Sequence, residues 1–342
     1  MCGAIGSLVH WAIGSFRFMQ LKTISVNDAL GAILVHNITG ADGRKVFSKG
    51  RALSADDLEK LRALKIENVY VAMLDPGDVR EDDAATRLAR VIAGDGIEIS
   101  KPSGGRVNLY ATRPGFLRVD RDALKRVNEL PGVTLATIPG FARVAPKKMI
   151  ATLKTVGLAI PETTIRAAEG IGAILNIAPA QIARVAIILT GSANARARVQ
   201  EIFAPPIRAR IEELGAQVSA EQFVVEDEIA IADAIAKTDA QMIVFAGETS
   251  IMDADDIIPR GITRAGGRIE LYGAPVEPGN LLLLAYRDAI PIIGAPGCIK
   301  SRATNVVDLI LPRLLIGERV TRADVLALAE GGLLISSKKE TE

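Results

Sequence analysis

The sequence predicts an α/β protein: a three-layer sandwich with a mostly parallel sheet in the C-terminal domain, preceded by smaller α+β and β-rich modules. Three observations carry that prediction. Branched apolar runs at 185–189, 242–245 and 290–293 have the near-continuous hydrophobicity of strands buried on both faces. Helical patterns alternate with strand patterns from residue 182 onward, as right-handed crossovers onto a parallel sheet require. Small residues follow each apolar run: Thr190-Gly191-Ser192, Gly247-Glu248-Thr249-Ser250 and Gly294-Ala295-Pro296-Gly297. Ligands settle at the carboxyl ends of strands in open α/β sheets, so these turns are the candidate site.

A chain of 342 residues exceeds one ordinary hydrophobic core, and two or three domains are expected. Hydrophobic residues at 49% favour buried globular folds over disorder. Aromatics at 4% argue against stacking platforms for single-stranded nucleic acid, and a net charge of +1 creates no field for nucleic acid or an anionic membrane. Cys2 and Cys298 are far apart and build no disulfide framework, which points to a reducing cytoplasm. His10 and His36 lack the cysteine spacing of a zinc motif, leaving a hard cation on carboxylates and phosphate as the metal to consider.

Residues 1–18 are apolar but broken by Gly6 and Gly14, too short for a membrane span and without a basic flank for a signal peptide. They read as a disordered or over-extended start. Residues 19–100 read as a small α+β module. It has strands near 24–37 and 69–72, a turn at Gly40-Ala41-Asp42-Gly43, and a helix opened by Ser54 with Asp57 in the capping position. Residues 78–93 read as a second helix whose acidic start (Glu81, Asp82, Asp83) suits the helix dipole.

Residues 101–178 read as a β-rich module and linker helix. Strands are expected at 107–111, 116–119, 133–138 and 149–156, with a short helix at 122–129 and a linker helix over 163–178. The binding domain spans 179–335, and 336–342 is a polar tail. In the domain, strands at 185–189, 217–225 and 242–245 alternate with helices at 199–214, 229–238 and between Asp255 and Ala265.

The chemistry sits in the turns. Gly191 lets backbone approach a ligand, and Ser192 adds a hydroxyl. Gly247, Thr249 and Ser250 offer N–H groups and hydroxyls beside Asp253, Asp255 and Asp256, a set suited to a phosphate held with magnesium. The same residues also read as an N-cap with an acidic first turn. Gly294, Pro296 and Gly297 fix an irregular turn that brings up Lys300 and Ser301, and Pro278-Gly279 precedes it. For Cys298 a small buried hydrophobe fits better than a reactive thiol, since neither histidine is near it in sequence. A dinucleotide fingerprint and a phosphate-loop motif are both absent.

Taken in order, these turns resemble the molybdopterin-binding domain shared by molybdopterin adenylyltransferases and molybdenum insertases. Thr190-Gly191-Ser192 matches that family's T-G-S; Gly247, Ser250 and Asp253 match its T-G-G-x-S-x-G-D in register. Pro278-Gly279 matches its P-G-K-P, and Gly294, Pro296, Gly297 and Ser301 match its G-x-P-G-N-P-x-S. Asp227 resembles the acidic residue between the first two motifs. Glu248 replaces the second glycine of T-G-G, Met252 its last glycine, Asn280 the lysine of P-G-K-P and Cys298 the asparagine of P-G-N-P. The stretch 246–253 is most similar to bacterial molybdopterin-binding proteins often fused to a molybdenum-cofactor nucleotidyltransferase, although the G-G-x-S-x-R-M-G loop of that enzyme does not appear.

The resemblance implies a transferase-type maturation protein that holds molybdopterin, a small-molecule pterin phosphate, or its adenylylated form. It implies cofactor contacts from Thr190, Gly191, Ser192, Gly247, Glu248, Thr249, Ser250, Pro278, Gly279, Gly294, Pro296, Gly297, Lys300 and Ser301. Asp253 is then the catalytic and metal-binding candidate for Mg2+ or molybdate, with Asp227 assisting. The alternative is a non-catalytic delivery module acting with a separate nucleotidyltransferase or a molybdoenzyme. A homo-oligomer is implied as well, with 306–311 as either a contact or core.

Overall fold

The computed structural model describes residues 19–249, 251–253 and 255–334. The start at 1–18 and the tail at 336–342 lie outside the described residues, as does Ser250. Two compact units divide the chain: residues up to Gly140 with Val144–Ile177 form the first, and Phe141–Arg143 with the chain from Ala178 form the second.

In the first unit Gln20–Ser25 and Ile33–Leu34 flank Asn68–Met73 in an antiparallel sheet. The helix Ala55–Ala63 starts on a complete capping box: the Ser54 hydroxyl accepts from the Asp57 N–H, and the Asp57 carboxylate accepts from the Ser54 N–H. Leu58 and Leu61 of this helix are buried with Phe47, Val69 and Val71. Further on, Glu81–Ile92 packs its alanine and leucine face on a four-stranded antiparallel sheet. The expected helix over 163–178 is shorter. It runs Glu162–Ile171 and stops at Gly172, whose φ of 79° no side-chain-bearing residue adopts easily; Leu175–Ala178 then forms a strand.

The second unit holds the six-stranded sheet. Its elements in chain order are β1 (Arg184–Gly191), α1 (Arg196–Glu213), β2 (Gln217–Val225), α2 (Glu228–Lys237), β3 (Met242–Gly247), α3 (Ile257–Arg264), β4 (Arg268–Tyr272), β5 (Leu283–Arg287), β6 (Ile290–Gly294), α4 (Val306–Leu315) and α5 (Arg322–Leu326). The sheet order is β2-β1-β3-β6-β5-β4. β2, β1, β3 and β6 are parallel, and β5 and β4 extend them antiparallel.

Burial follows sequence pattern strand by strand. Val185 to Leu189 and Met242 to Phe245 are buried throughout, as central strands covered on both faces must be. Edge strand β2 alternates exposed and partly covered residues, matching Gln217-Val218-Ser219-Ala220-Glu221. Each fully buried Ile or Val contributes roughly 1.5–3 kcal/mol. Val306, Val307, Ile310 and Leu311 of α4 are buried within this chain, so that stretch is core. No described helix is long and apolar enough to cross a membrane.

Candidate functional site

From β1 the chain turns by way of α1 to β2 on one side, and from β2 it returns by α2 to β3 on the other. The strand order reverses at β1, and such a switch opens a crevice beyond the carboxyl ends of the strands. Register places the strand ends side by side: Thr190 pairs with Gly247, Phe245 with Gly294, and Gly294 with Leu283. β5 runs opposite to β6, so the segment that leads into it meets the same edge. Four turns, around 192–195, 248–256, 273–282 and 295–301, therefore leave one edge of the sheet. All the predicted site residues that are described lie on these turns, at the strand ends feeding them, or, for Asp227, in the neighbouring turn after β2.

The first two turns interlock. A Cβ on Gly247 would collide with the Thr190 hydroxyl and stand 2.9 Å from the Thr190 carbonyl oxygen, so only glycine lets the two strand ends approach. Thr190 is fully buried, and its Oγ1 has no hydrogen-bond partner among the described residues. Glu248 then folds back across the first turn. Its Oε2 accepts the Ser192 N–H at 3.1 Å and the Ser192 hydroxyl at 2.9 Å, and its Oε1 is paired with the Arg198 guanidinium. The Ser192 N–H and hydroxyl, with Arg198 beside them, hold the Glu248 carboxyl below the usual range.

The rest of the second turn is tied down by its own acids. The Thr249 hydroxyl donates to Glu226 at 2.6 Å. Asp256 Oδ2 accepts the N–H groups of Met252 and Asp253, at 2.6 and 3.1 Å. Asp253 Oδ1 accepts the Asp255 N–H at 2.8 Å. Ile251 is buried, its carbonyl accepting the Tyr272 hydroxyl at 2.8 Å and its side chain seated on Gly294. Asp227 is the N-cap of α2, accepting the Ala230 N–H at 2.9 Å. Between the second turn, the start of α3 and Glu226 after β2 opens a cleft of about 390 Å³, lined by Glu226, Thr249, Ile251, Met252, Asp256 and Ile258 among others. Among the described residues no three His, Cys, Asp or Glu side chains are grouped to hold a metal ion.

The last turn is held from beneath. Arg210 of α1 is 4% exposed. It pairs with Asp308 at 2.8 Å and donates to the carbonyls of Pro206, Ile299, Ser301 and Ala303 at 3.2, 3.1, 2.8 and 2.9 Å. Gly297–Lys300 forms a single 3-10 turn after Pro296, with Lys300 and Ser301 exposed. The Ser301 Oγ accepts the Ala303 N–H at 3.1 Å. Cys298 is only partly buried, not the fully buried residue expected, and that partial burial pushes its thiol up. The Pro278 carbonyl accepts the Val306 N–H at 3.2 Å, and Val306 packs on the α-carbon of Gly279, which fixes the third turn, around 273–282, to the start of α4.

Sequence reasoning singled out neither Arg198, Arg210, Glu226, Tyr272 nor the bracing role of Asp256. For Asp256 a signal existed: an acid at the start of a helix, following a turn with free N–H groups. Arg210 and Arg198 left none, because their partners are distant in sequence.

Residues 186–315 match a family described as a probable molybdopterin binding domain. The C-terminal domain belongs to that family. Residues 23–73 match a domain of unknown function (DUF8806). No curated protein matches the chain. Solved structures similar to it include a molybdenum cofactor biosynthesis protein from Pyrococcus furiosus, at 13% identity and a TM-score of 0.24, covering 88% of this chain and 66% of its own. A molybdopterin biosynthesis MoeA protein from Pyrococcus horikoshii has 15% identity and a TM-score of 0.30, covering 87% of this chain and 75% of its own. A molybdenum cofactor biosynthesis protein from Corynebacterium diphtheriae has 16% identity and a TM-score of 0.29, covering 40% of this chain and 98% of its own. At such TM-scores these likenesses carry no weight; the family assignment of the domain rests on the sequence match.

Proposed function

We propose that this chain binds molybdopterin, or its adenylylated form, as a maturation protein of the molybdenum cofactor. One observation carries the reading: in a domain of this family, four turns leave a single sheet edge at the switch point of the strand order. Gly247 lets the ends of β1 and β3 approach closely, and Gly191 lies beneath Glu248, so this side of the edge is built of tight backbone under one carboxylate. Lys300 and Ser301, both exposed on the last turn, supply donors for a phosphate, while the Thr249 hydroxyl is already given to Glu226. The donor set fits an anionic pterin.

Asp253 is the candidate for magnesium. Magnesium keeps most of its water and takes one or two carboxylates with substrate phosphates, so a lone Asp beside a bound phosphate suffices. Molybdate would be a substrate brought to the same turn. Asp227 assists by starting α2 and fixing the adjacent Glu226, which receives Thr249. The second reading is a delivery module without chemistry that hands its cofactor to a separate nucleotidyltransferase or a molybdoenzyme. It is favoured by Glu248, which occupies the Ser192 donors that would otherwise face a reacting group.

Titration of the purified chain with molybdopterin is expected to saturate, and failure to saturate overturns the proposal. With molybdate and magnesium present, Asp253→Asn is expected to abolish formation of active cofactor while changing pterin affinity by no more than about threefold, the loss of one carboxylate's metal contact and not of the donor set. Wild-type protein that binds pterin yet forms no active cofactor supports the delivery reading instead.

A further inference from the structure

We propose that Glu248 is the chain's own occupant of an oxyanion cradle built by Ser192 and Arg198, and that the part of a ligand lying over this cradle is uncharged. A backbone N–H, a hydroxyl and a guanidinium converge on one carboxylate at the mouth of the β1–β3 crevice. Those donor types together are what proteins use to hold phosphate or carboxylate groups. Glu248 is not loosely draped there. Its Cβ would lie 3.1 Å from a Cβ on Gly191, so the side chain runs back over the turn and fills the space a ligand oxygen would take. The carboxyl is held below its ordinary range, so it remains ionised throughout the neutral region.

A second anion at this place would face a like charge and find its donors taken. An uncharged hydrogen-bonding edge meets no such penalty. It can donate to Glu248 from above while the carboxylate keeps Ser192 and Arg198. The cradle thus directs any phosphate of the ligand away from the first turn and toward Lys300 and Ser301. Glu248 sets specificity here by subtraction.

The inference rests on the reading of this edge as the ligand site, but its test uses inorganic phosphate and the full chain. Calorimetric titration of wild type with phosphate is expected to give weak or no saturable binding at neutral pH. Glu248→Ala is expected to bind phosphate tighter by on the order of tenfold or more, the weight of one charge-assisted hydrogen bond. Adding Arg198→Ala is expected to remove most of that gain. Should Glu248→Ala fail to fold, Glu248→Ser, whose side chain is too short to reach the Ser192 donors and so also vacates them, carries the same comparison.

Phosphate affinity equal in wild type and variant overturns the cradle, and so does a gain that survives the loss of Arg198. A gain in phosphate binding by a chain that does not bind molybdopterin sinks the function proposed above and leaves the cradle standing. Molybdopterin binding without the gain does the reverse.

Discussion

The first and last turns leave the same edge of the sheet and are held in opposite ways. At the first, a carboxylate from a neighbouring turn comes down on the donors: Glu248 takes the N–H and hydroxyl of Ser192. At the last, a buried guanidinium draws the acceptors inward: Arg210 takes the carbonyls of Ile299, Ser301 and Ala303. A peptide whose carbonyl is pulled toward the core leaves its other side outward, so the last turn keeps Lys300 and Ser301 available. A turn whose N–H is covered presents a carboxylate instead. The two turns thus acquire opposite electrostatic faces from the direction of one hydrogen-bond set.

The largest way to break the contrast is Arg210→Met. It leaves the buried carbonyls of Pro206 and Ile299, together with Asp308, without this partner, and removing one member of a buried ion pair costs about 3–5 kcal/mol. Urea unfolding monitored on the second unit, together with hydrogen exchange at 297–303, is expected to report that loss and an opened last turn. A loss under 1 kcal/mol, on the low side of a single ordinary hydrogen bond, would mean that the clamp is dispensable.

Gly247→Ala is the next in size. The added methyl collides with the Thr190 hydroxyl and crowds its carbonyl, and overpacking of this kind costs about 1–3 kcal/mol. Amides at the ends of β1 and β3 should exchange faster, while those of the last turn stay protected. Equal protection at both would erase the distinction between the two turns.

The smallest effect sharpens the comparison through pH. The Glu248 carboxyl is held down in the folded chain. A group with a depressed folded pKa adds stability above its unfolded value and loses it as pH falls through the folded one. Glu248→Gln should therefore lower the unfolding midpoint slightly at neutral pH. The difference should vanish once the medium is acidic enough to protonate the wild-type side chain. A difference that persists in acid would mean the clasp is steric and not ionic.

The fold of the second unit was largely legible in the sequence, and for a physical reason. Strands buried on both faces must be apolar throughout, so Val185 to Leu189 and Met242 to Phe245 announce themselves. The antiparallel extension β4–β5 did not, because Tyr272-Gly273-Ala274-Pro275 reads as loop and Leu281-Leu282-Leu283-Leu284 has no alternation. In the first unit the capping box at Ser54 and Asp57 was local and visible. The early end of the helix at Ile171 was missed, although Gly170-Ile171-Gly172 marked it.

The site divides along the same line. Small residues after apolar strands located the edge, since sterics at a strand end act between near neighbours. What each charged side chain touches could not be read. Ser192 and Glu248 are separated by 56 positions, and Arg210 reaches Ile299 across 89. Only folding brings such pairs together.

Ile251 seated on Gly294 joins the second turn to the strand that feeds the last one. The wedge is completed by Tyr272, whose hydroxyl grips the Ile251 carbonyl from a third element. Lifting the acidic turn away from the sheet would have to unseat a hydrophobic plug and break a tyrosine tether together. The floor of the crevice is thus bolted, and whatever yields to an arriving guest must do so at its rim.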